Sequence, residues 1–367
     1  MLKSLGIENF TVFPEAEFQF GRHLNVFIGE NGSGKSHILK AAYVPIALSA
    51  ARSNGSNEGG GRSNFDKAML QRSLAAELQA VFRPDGLWRL VRRQVGRSKC
   101  RLVYEFDQAE LNLAFTFSTV ARTEVSVEML PKRRIEKLPI FIPTRELLTI
   151  FPGFVSLYET TDLPFDETWR DTCILLGAPL ARGPRESRIK ELLAPLERAM
   201  GGGIELDPSG RFYLNLESGR MEIHLVAEGL RKLAMIARLI ATGSLLDKGY
   251  LFWDEPEANL NPKIIKTVAS TILQIAQNGV QVFVATHSLF LLRELHILHW
   301  RNFKSLDCRF FGLHVEQNLA VSVKQGGTLD DVGHITALDE DLQQSERYVD
   351  TELGVPEPNA SSLAGKP

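Results

Sequence analysis

Cysteine is scarce in this chain. Its three cysteines, Cys100, Cys173 and Cys308, lie far apart in the sequence, and no C-x-x-C pair occurs. Zinc ribbons and thioredoxin-like redox proteins need such pairs, so both classes are excluded. A small, odd number of cysteines favours reduced thiols, as in a protein of the cytosol.

Long apolar runs and an excess of one charge are also missing. No segment approaches the roughly 18 uncharged apolar residues that cross a membrane, and the N-terminus lacks the charged and then apolar run of a signal peptide. The net charge is only −2, so the chain as a whole is not a polycation built to coat nucleic acid. We therefore expect a cytoplasmic protein without a membrane partner. Its 367 residues, 44% of them apolar, suffice for one large globular domain or two ordinary ones.

The most informative segment is 29–36, Gly-Glu-Asn-Gly-Ser-Gly-Lys-Ser, which matches the phosphate-binding pattern G-x-x-x-x-G-K-[ST]. Its glycines allow a tight curl in which successive backbone N–H groups point at one spot, and such a nest before a helix binds anions. Lys35 is placed to reach the β- and γ-phosphates of a nucleoside triphosphate, and the Ser36 hydroxyl to hold Mg²⁺.

Hydrophobic periodicity predicts strands and helices around this loop. Two strands precede a buried strand at 23–28, and a helix at 35–44, stopped or kinked by Pro45, follows the loop. The Gly-, Ser- and Asn-rich residues 52–64 predict a flexible loop, and the acidic C-terminal stretch predicts a short helix and a disordered tail. Further helices are predicted at 65–82, over much of 147–200, and at 228–242, 262–278 and 289–296. Further strands are predicted at 87–95, 101–106, 111–118 and 123–130 as an antiparallel meander, and at 138–142, 204–206, 211–216, 221–226, 250–255, 280–285, 308–316 and 319–324.

Basic side chains crowd the start of that meander, where only Asp85 opposes them. One interpretation is a solvated hairpin face. The alternative is a surface that contacts phosphate groups, because alternation along a strand aims several arginines in one direction. The cluster consists of Arg83, Arg89, Arg92, Arg93, Arg97, Lys99 and Arg101.

Two carboxylates, Asp254 and Glu255, end a predicted apolar strand. Adjacent carboxylates repel each other, and a bound cation removes that cost. One of them would hold Mg²⁺ and the other would orient an attacking water. His287 follows the next apolar strand, where a neutral imidazole would donate a hydrogen bond to a γ-phosphate.

The order of these motifs resembles that of ABC-type ATPases, and within them the RecF/SMC/OLD-like group, also called AAA15 or AAA_21. The likeness covers about residues 1–325 and includes the segments 7–10 and 141–146. It implies an α/β fold: an ABC-ATPase head, with a P-loop NTPase core sheet and flanking helices, plus an antiparallel β subdomain and a helical insertion lobe. The implied divisions are an ATPase lobe I at 1–145, a helical insertion at 146–203, an ATPase lobe II at 204–325 and an acidic flexible tail at 326–367.

The resemblance also implies roles for individual residues. Catalysis would fall to Glu255, His287 and Lys35, and Mg²⁺ to Ser36 and Asp254. ATP would bind Asn31, Gly32, Ser33, Gly34, Lys35, Ser36 and His37. A second copy would supply the signature loop Ala227, Glu228 and Gly229, so that two heads pack head to tail around ATP and open on hydrolysis. Ala227 replaces the usual serine, which would slow turnover, and no clear Q-loop glutamine is present; Arg145 or Glu146 would take its place.

The function expected from the resemblance is a Mg²⁺-dependent ATPase switch, dimeric or a higher even oligomer, in DNA repair or anti-phage defence. Only 80 residues follow His287, so a nuclease or toxin effector is expected on a separate chain, with nucleic acid as a further candidate partner. The alternative is the nucleotide-binding subunit of a transporter, which the unusual signature and its distance of about 190 residues from the P-loop disfavour. A structural-maintenance arm protein would need long heptad repeats between the P-loop and the signature loop, and a GTPase would need an Asn-Lys-x-Asp motif. The sequence contains neither pattern.

Overall fold

We analysed a computed structural model, which describes residues 1–54, 66–246, 249–334 and 336–353. Most of the predicted flexible loop at 52–64 and the predicted disordered tail beyond 353 lie outside the described residues.

A six-stranded sheet forms the centre of the molecule. Five of its strands run parallel, and the last, at one edge, is antiparallel to its neighbour. The strand order is β14-β13-β3-β12-β11-β7. The strands are β3 (Leu24–Gly29), β7 (Ile140–Ile142), β11 (Gly249–Asp254), β12 (Val280–Thr286), β13 (Cys308–Val315) and β14 (Val321–Gly326).

Two antiparallel sheets accompany this core. The larger has the order β2-β1-β4-β5-β6 and the smaller the order β10-β9-β8. Their strands are β1 (Leu2–Phe10), β2 (Phe13–Gln19), β4 (Lys99–Phe106), β5 (Leu113–Ser118), β6 (Ser126–Met129), β8 (Gly202–Leu206), β9 (Phe212–Leu216) and β10 (Gly219–Glu222).

Helices cover the central sheet and fill the region between β7 and β8. They are α1 (Lys35–Asn54), α2 (Lys67–Phe82), α3 (Phe151–Thr160), α4 (Glu167–Gly177), α5 (Glu186–Met200), α6 (Glu228–Ala241), α7 (Pro262–Gln277), α8 (Leu289–Asn302) and α9 (Thr336–Glu352). The predicted α/β class, with an antiparallel β part and a helical part, is confirmed. None of the helices in the described ranges is both long enough and apolar enough to span a bilayer.

Strand alternation gives the central sheet two different faces. On β11, Leu251 and Trp253 face the aliphatic core formed with α3 to α8. Tyr250 and Phe252 face the opposite core, which α1 shares with the larger antiparallel sheet. Because successive side chains of a strand point to opposite faces, a parallel strand buried on both sides is apolar throughout. The sheet is thereby fixed between two cores, and the loops at its carboxyl edge have a rigid base.

Four local predictions are wrong. The strand predicted at 221–226 lies at Gly219–Glu222, and Ile223–Leu225 form a 3₁₀ turn instead. Residues 87–95 do not form a strand: Leu87–Leu90 form a 3₁₀ turn, because the two leucines three positions apart are both buried, and one bridge joins Phe10 to Val91. Pro45 does not stop α1, which continues to Asn54. The helix predicted at 289–296 continues to Asn302.

Candidate functional site

The loop after β3 has the backbone that its glycines predict. Gly32 and Gly34 have φ values of +83° and +87°, in the left-handed region that favours glycine. A Cβ at Gly34 would lie 2.7 Å from Val12 Cγ2 and 2.8 Å from the Phe13 ring, so this position also excludes any side chain. The loop curls directly into α1, which leaves its N–H groups at a helix N-terminus.

Lys35 closes the loop from inside. Its Nζ donates to the carbonyl oxygens of Gly29 at 2.7 Å and Glu30 at 2.9 Å, and the residue is 6% exposed. Burial lowers the pKa of Lys35, and nearby carboxylates, foremost Glu255 and Asp254, oppose that shift. The ammonium group therefore lies close to the carboxylates that end β11.

Asp254 joins this cluster through Ser36. It accepts a hydrogen bond from the Ser36 hydroxyl, and burial raises the pKa of the carboxyl group. Its Oδ1 is buried and has no hydrogen-bond partner among the described residues. A buried oxygen without a partner, beside a hydroxyl oxygen, is an incomplete set of hard ligands, which suits Mg²⁺. The residues present therefore fit the cation that the motif implies.

Glu255 and His287 meet across neighbouring strands. His287 Nδ1 lies 3.0 Å from Glu255 Oε1, and about half of the histidine side chain is exposed. The Glu255 backbone N–H donates to the Ala285 carbonyl oxygen, and its φ is +48°. A non-glycine residue rarely adopts this conformation, so the backbone turn that aims this carboxylate is strained.

A cavity of about 460 Å³ opens beside these groups. The first half of the P-loop, from Gly29 to Asn31, lines it together with His287, the end of β13 and His334. Lys35, Asp254 and Glu255 do not line the cavity. Glu255 contacts its rim at His287, and Lys35 contacts it at Gly29 and Glu30. The predicted phosphate and magnesium residues are thus clustered beside this cavity.

Two family profiles match the chain over separate segments. The profile described as "AAA domain, putative AbiEii toxin, Type IV TA system" matches residues 129–293, and one described as "AAA domain" matches residues 4–83. Together they contain the P-loop, the carboxylate pair and His287. Over these two segments the chain is therefore similar to AAA-type P-loop domains.

Curated relatives and a solved structure are also similar to this chain. The DNA replication and repair protein RecF of Streptococcus thermophilus is 36% identical over 70 residues, which is 19% of this chain and 16% of that protein. RecF of Streptococcus suis matches equally well over the same length. The match therefore spans about one sixth of the curated relatives. An SMC head bound to the C-winged helix domain of ScpA has the same fold, with a TM-score of 0.51 and 14% identity over 90% of this chain and 98% of that one.

The predicted signature loop lies at the start of α6 and contacts the segment that follows β11. Ala227 precedes α6 without a side-chain cap, and Glu228 accepts a hydrogen bond from Asn259 Nδ2 at 2.9 Å. A Cβ at Gly229 would lie 2.9 Å from the Asn259 carbonyl oxygen. Glycine is therefore needed here for packing within the chain, in addition to any contact with a nucleotide.

Two predicted positions have mainly structural partners. The ring of His37 lies 5.9 Å from the Phe82 ring of α2, and its Nδ1 is buried without a hydrogen-bond partner among the described residues. Glu146 is buried, accepts from the Leu148 N–H at 2.8 Å and pairs with Arg231 at 2.9 Å, whereas Arg145 is exposed. Glu146 therefore anchors its own loop to α6.

The sequence analysis missed two buried charged residues of the site. Glu257 accepts a hydrogen bond from the Thr286 hydroxyl at 2.7 Å, and its other oxygen, Oε2, has no hydrogen-bond partner within the described parts of the chain. Lys232 donates to the carbonyl oxygens of Glu255 at 3.0 Å and Ala258 at 3.2 Å. In the sequence, the one signal that could have identified Glu257 and Lys232 was a charged residue on the otherwise apolar face of a helix or turn.

Proposed function

We propose that this chain binds ATP with Mg²⁺ and hydrolyses the terminal phosphoryl group. One observation carries the proposal: four side chains that end or follow three neighbouring parallel strands converge at one edge of the sheet, namely those of Lys35, Asp254, Glu255 and His287. Ligands of open parallel sheets bind at this carboxyl edge.

The roles follow from the contacts. The backbone N–H groups of residues 31–37 and the Lys35 ammonium would hold the phosphates, with His37 contributing its backbone because its ring faces α2. Ser36 and Asp254 would hold Mg²⁺, which supplies charge neutralisation on the phosphate oxygens when bound. Glu255 would orient the attacking water, and His287, held by Glu255 through Nδ1, would donate a hydrogen bond to the γ-phosphate through Nε2.

We further propose that two copies pack head to tail. Ala227 and Glu228 are exposed, and the N–H groups that begin α6 have no side-chain cap. Uncapped N–H groups at a helix N-terminus attract anions. Because Gly229 lies against Asn259, in the segment that follows β11, the start of α6 would serve a nucleotide held by the second copy.

The partner is proposed from relatives and from charge. Curated relatives include RecF, named a DNA replication and repair protein, and the SMC head structure contains the winged-helix domain of ScpA. Arg92, Arg93 and Arg97 have no ion-pair partner among the described residues, and Arg93 and Arg97 are exposed. We propose a cytoplasmic switch, in DNA repair or anti-phage defence, that acts on nucleic acid or on a separate effector such as a nuclease. The division into parts at 1–145, 146–203, 204–325 and 326–367 is proposed on the same basis.

The test is the E255Q variant with and without ATP and Mg²⁺. Removing the water-orienting carboxylate while keeping its shape should abolish turnover and preserve binding, so light scattering should show a monomer becoming a dimer on ATP addition. E217Q, which changes an exposed glutamate between β9 and β10, is the matched control and should turn over ATP like the wild type. An unchanged mass for E255Q at saturating ATP would refute the head-to-tail arrangement, and unchanged turnover would refute the role of Glu255.

A further inference from the structure

Lys232 occupies an unusual place for a lysine. It lies on the second turn of α6, is 3% exposed and is surrounded by the carboxylates of Asp254, Glu255, Glu257 and Glu228. Its ammonium group does not form an ion pair within 4 Å with any carboxylate among the described residues. It donates instead to two backbone carbonyl oxygens, those of Glu255 at 3.0 Å and Ala258 at 3.2 Å. Burying a charge is costly, and packing alone would be served by an apolar side chain.

The two carbonyl groups belong to the turn that aims Glu255. In this turn Glu255 and Asn259 both have positive φ, at +48° and +63°. Such conformations persist in non-glycine residues when the surrounding contacts hold them. Lys232 contacts the turn at the first of these strained residues, Glu255, and at Ala258, which directly precedes the second. It thus holds the turn in the form that directs Glu255 toward His287.

The start of the same helix contacts the other end of the turn. Gly229 packs against the Asn259 carbonyl, and Glu228 accepts a hydrogen bond from the Asn259 side chain. The first two turns of α6 and the 255–259 turn are therefore joined by four contacts, which three residues of the helix make. A displacement of the α6 N-terminus must move this turn or break those contacts.

We propose that Lys232 is a positioning residue that couples the nucleotide at the α6 N-terminus of one protomer to Glu255 of the same protomer. This inference rests on the proposed head-to-tail ATPase, and it adds that the two ATP sites of the dimer communicate through Lys232. When the second copy's γ-phosphate engages the N–H groups of Gly229 and its neighbours, α6 is fixed and Lys232 fixes the turn. Each protomer then hydrolyses its own ATP efficiently only when the opposite site is also filled.

The experiment compares K232M, K232R and the wild type by steady-state ATPase assays. K263M is the matched control, because Lys263 is an exposed lysine at the start of α7. A misplaced carboxylate should lower kcat of K232M by about tenfold to a hundredfold and leave KM nearly unchanged. The Hill coefficient for ATP should fall from above one in the wild type to about one in K232M. K232R should recover most of kcat, because its guanidinium can donate to both carbonyl groups, and K263M should match the wild type.

The outcomes separate this inference from the function on which it rests. If the wild type neither hydrolyses ATP nor dimerises with it, the proposed function fails and the inference with it. If the wild type does both, and K232M keeps its kcat and Hill coefficient, only the inference is overturned. If K232M does not fold, N259A tests the same joint by removing the contact with Glu228, and unchanged cooperativity in that variant would equally overturn the inference.

Discussion

Because Lys232 is buried, we predict that the free energy of unfolding of this protein increases with pH relative to that of a K232M variant. Burial lowers the pKa of Lys232 to about 8, and the nearby carboxylates, with Glu257 first, only partly oppose that shift. An unfolded lysine keeps a pKa of about 10.4. The folded protein therefore loses this proton at a lower pH than the unfolded chain does.

The sign and size of the effect follow from proton linkage. Below about pH 8 both states carry the proton, and the folded state bears the full cost of a buried ammonium group. Between about pH 8 and 10.4 the unfolded state binds more protons, so the free energy of unfolding rises with pH. A pKa difference of about 2.4 units corresponds to about 3 kcal/mol over this window. K232M has no titrating group at position 232, so its free energy of unfolding does not show this increase.

Urea denaturation at a series of pH values from 7.5 to 10.5 measures this difference without nucleotide. The unfolding free energy of the wild type minus that of K232M should increase by about 3 kcal/mol across the series. K263M removes a lysine whose ammonium group is in solvent in both states, so its difference from the wild type should stay constant. Parallel pH curves for the wild type and K232M would show that Lys232 is not buried as a charged group, and the argument from its burial would fail.

Two further substitutions test the site directly. G34A should abolish ATP binding, measured by titration calorimetry, because the new Cβ would clash with Val12 and Phe13 and because φ is +87° at this position. G327A is the control and should bind ATP normally, because a Cβ there meets nothing within 4 Å. H287A should lower kcat by about a hundredfold or more, as loss of a hydrogen-bond donor to developing transition-state charge does, with little change in the ATP dissociation constant. A tenfold weaker dissociation constant with normal kcat would assign His287 to binding instead.

Local signals in the sequence predicted those features whose partners are close in the chain. The P-loop is one of them, because Gly32, Gly34 and Lys35 act within one turn of backbone and the strand and helix beside them have clear periodicity. The start of α7, predicted at 262, is likewise local: Pro262 is its first residue, and in the structure the Asn261 side chain accepts from the Ile264 N–H. The wrong strand at 87–95 came from apolar alternation that tertiary packing converts to a 3₁₀ turn.

Partners that lie far apart in the chain could not be predicted in this way. Lys232 bonds to backbone carbonyl groups 23 and 26 positions away, and a carbonyl group carries no residue identity that a pattern could detect. Glu257 meets Thr286 29 positions away, through the pairing of β11 with β12. From sequence each looks like an ordinary charge at a helix or strand end.

Strand order explains why the predicted motifs nevertheless come together. β12 lies between β3 and β11, and all three run parallel. Neighbouring strands are about 4.8 Å apart, so the segments that follow them emerge side by side at one edge. His287, after the middle strand, therefore reaches Glu255 on one side. Lys35, on the other side, interacts electrostatically with the carboxylates of Glu255 and Asp254. A register slip of one residue in β12 would turn each side chain at its end, Thr286 and His287 included, to the face opposite its present one. The apolar packing of Val282, Phe283 and Val284 on two cores fixes this register, so it is as necessary for the site as the motif residues themselves.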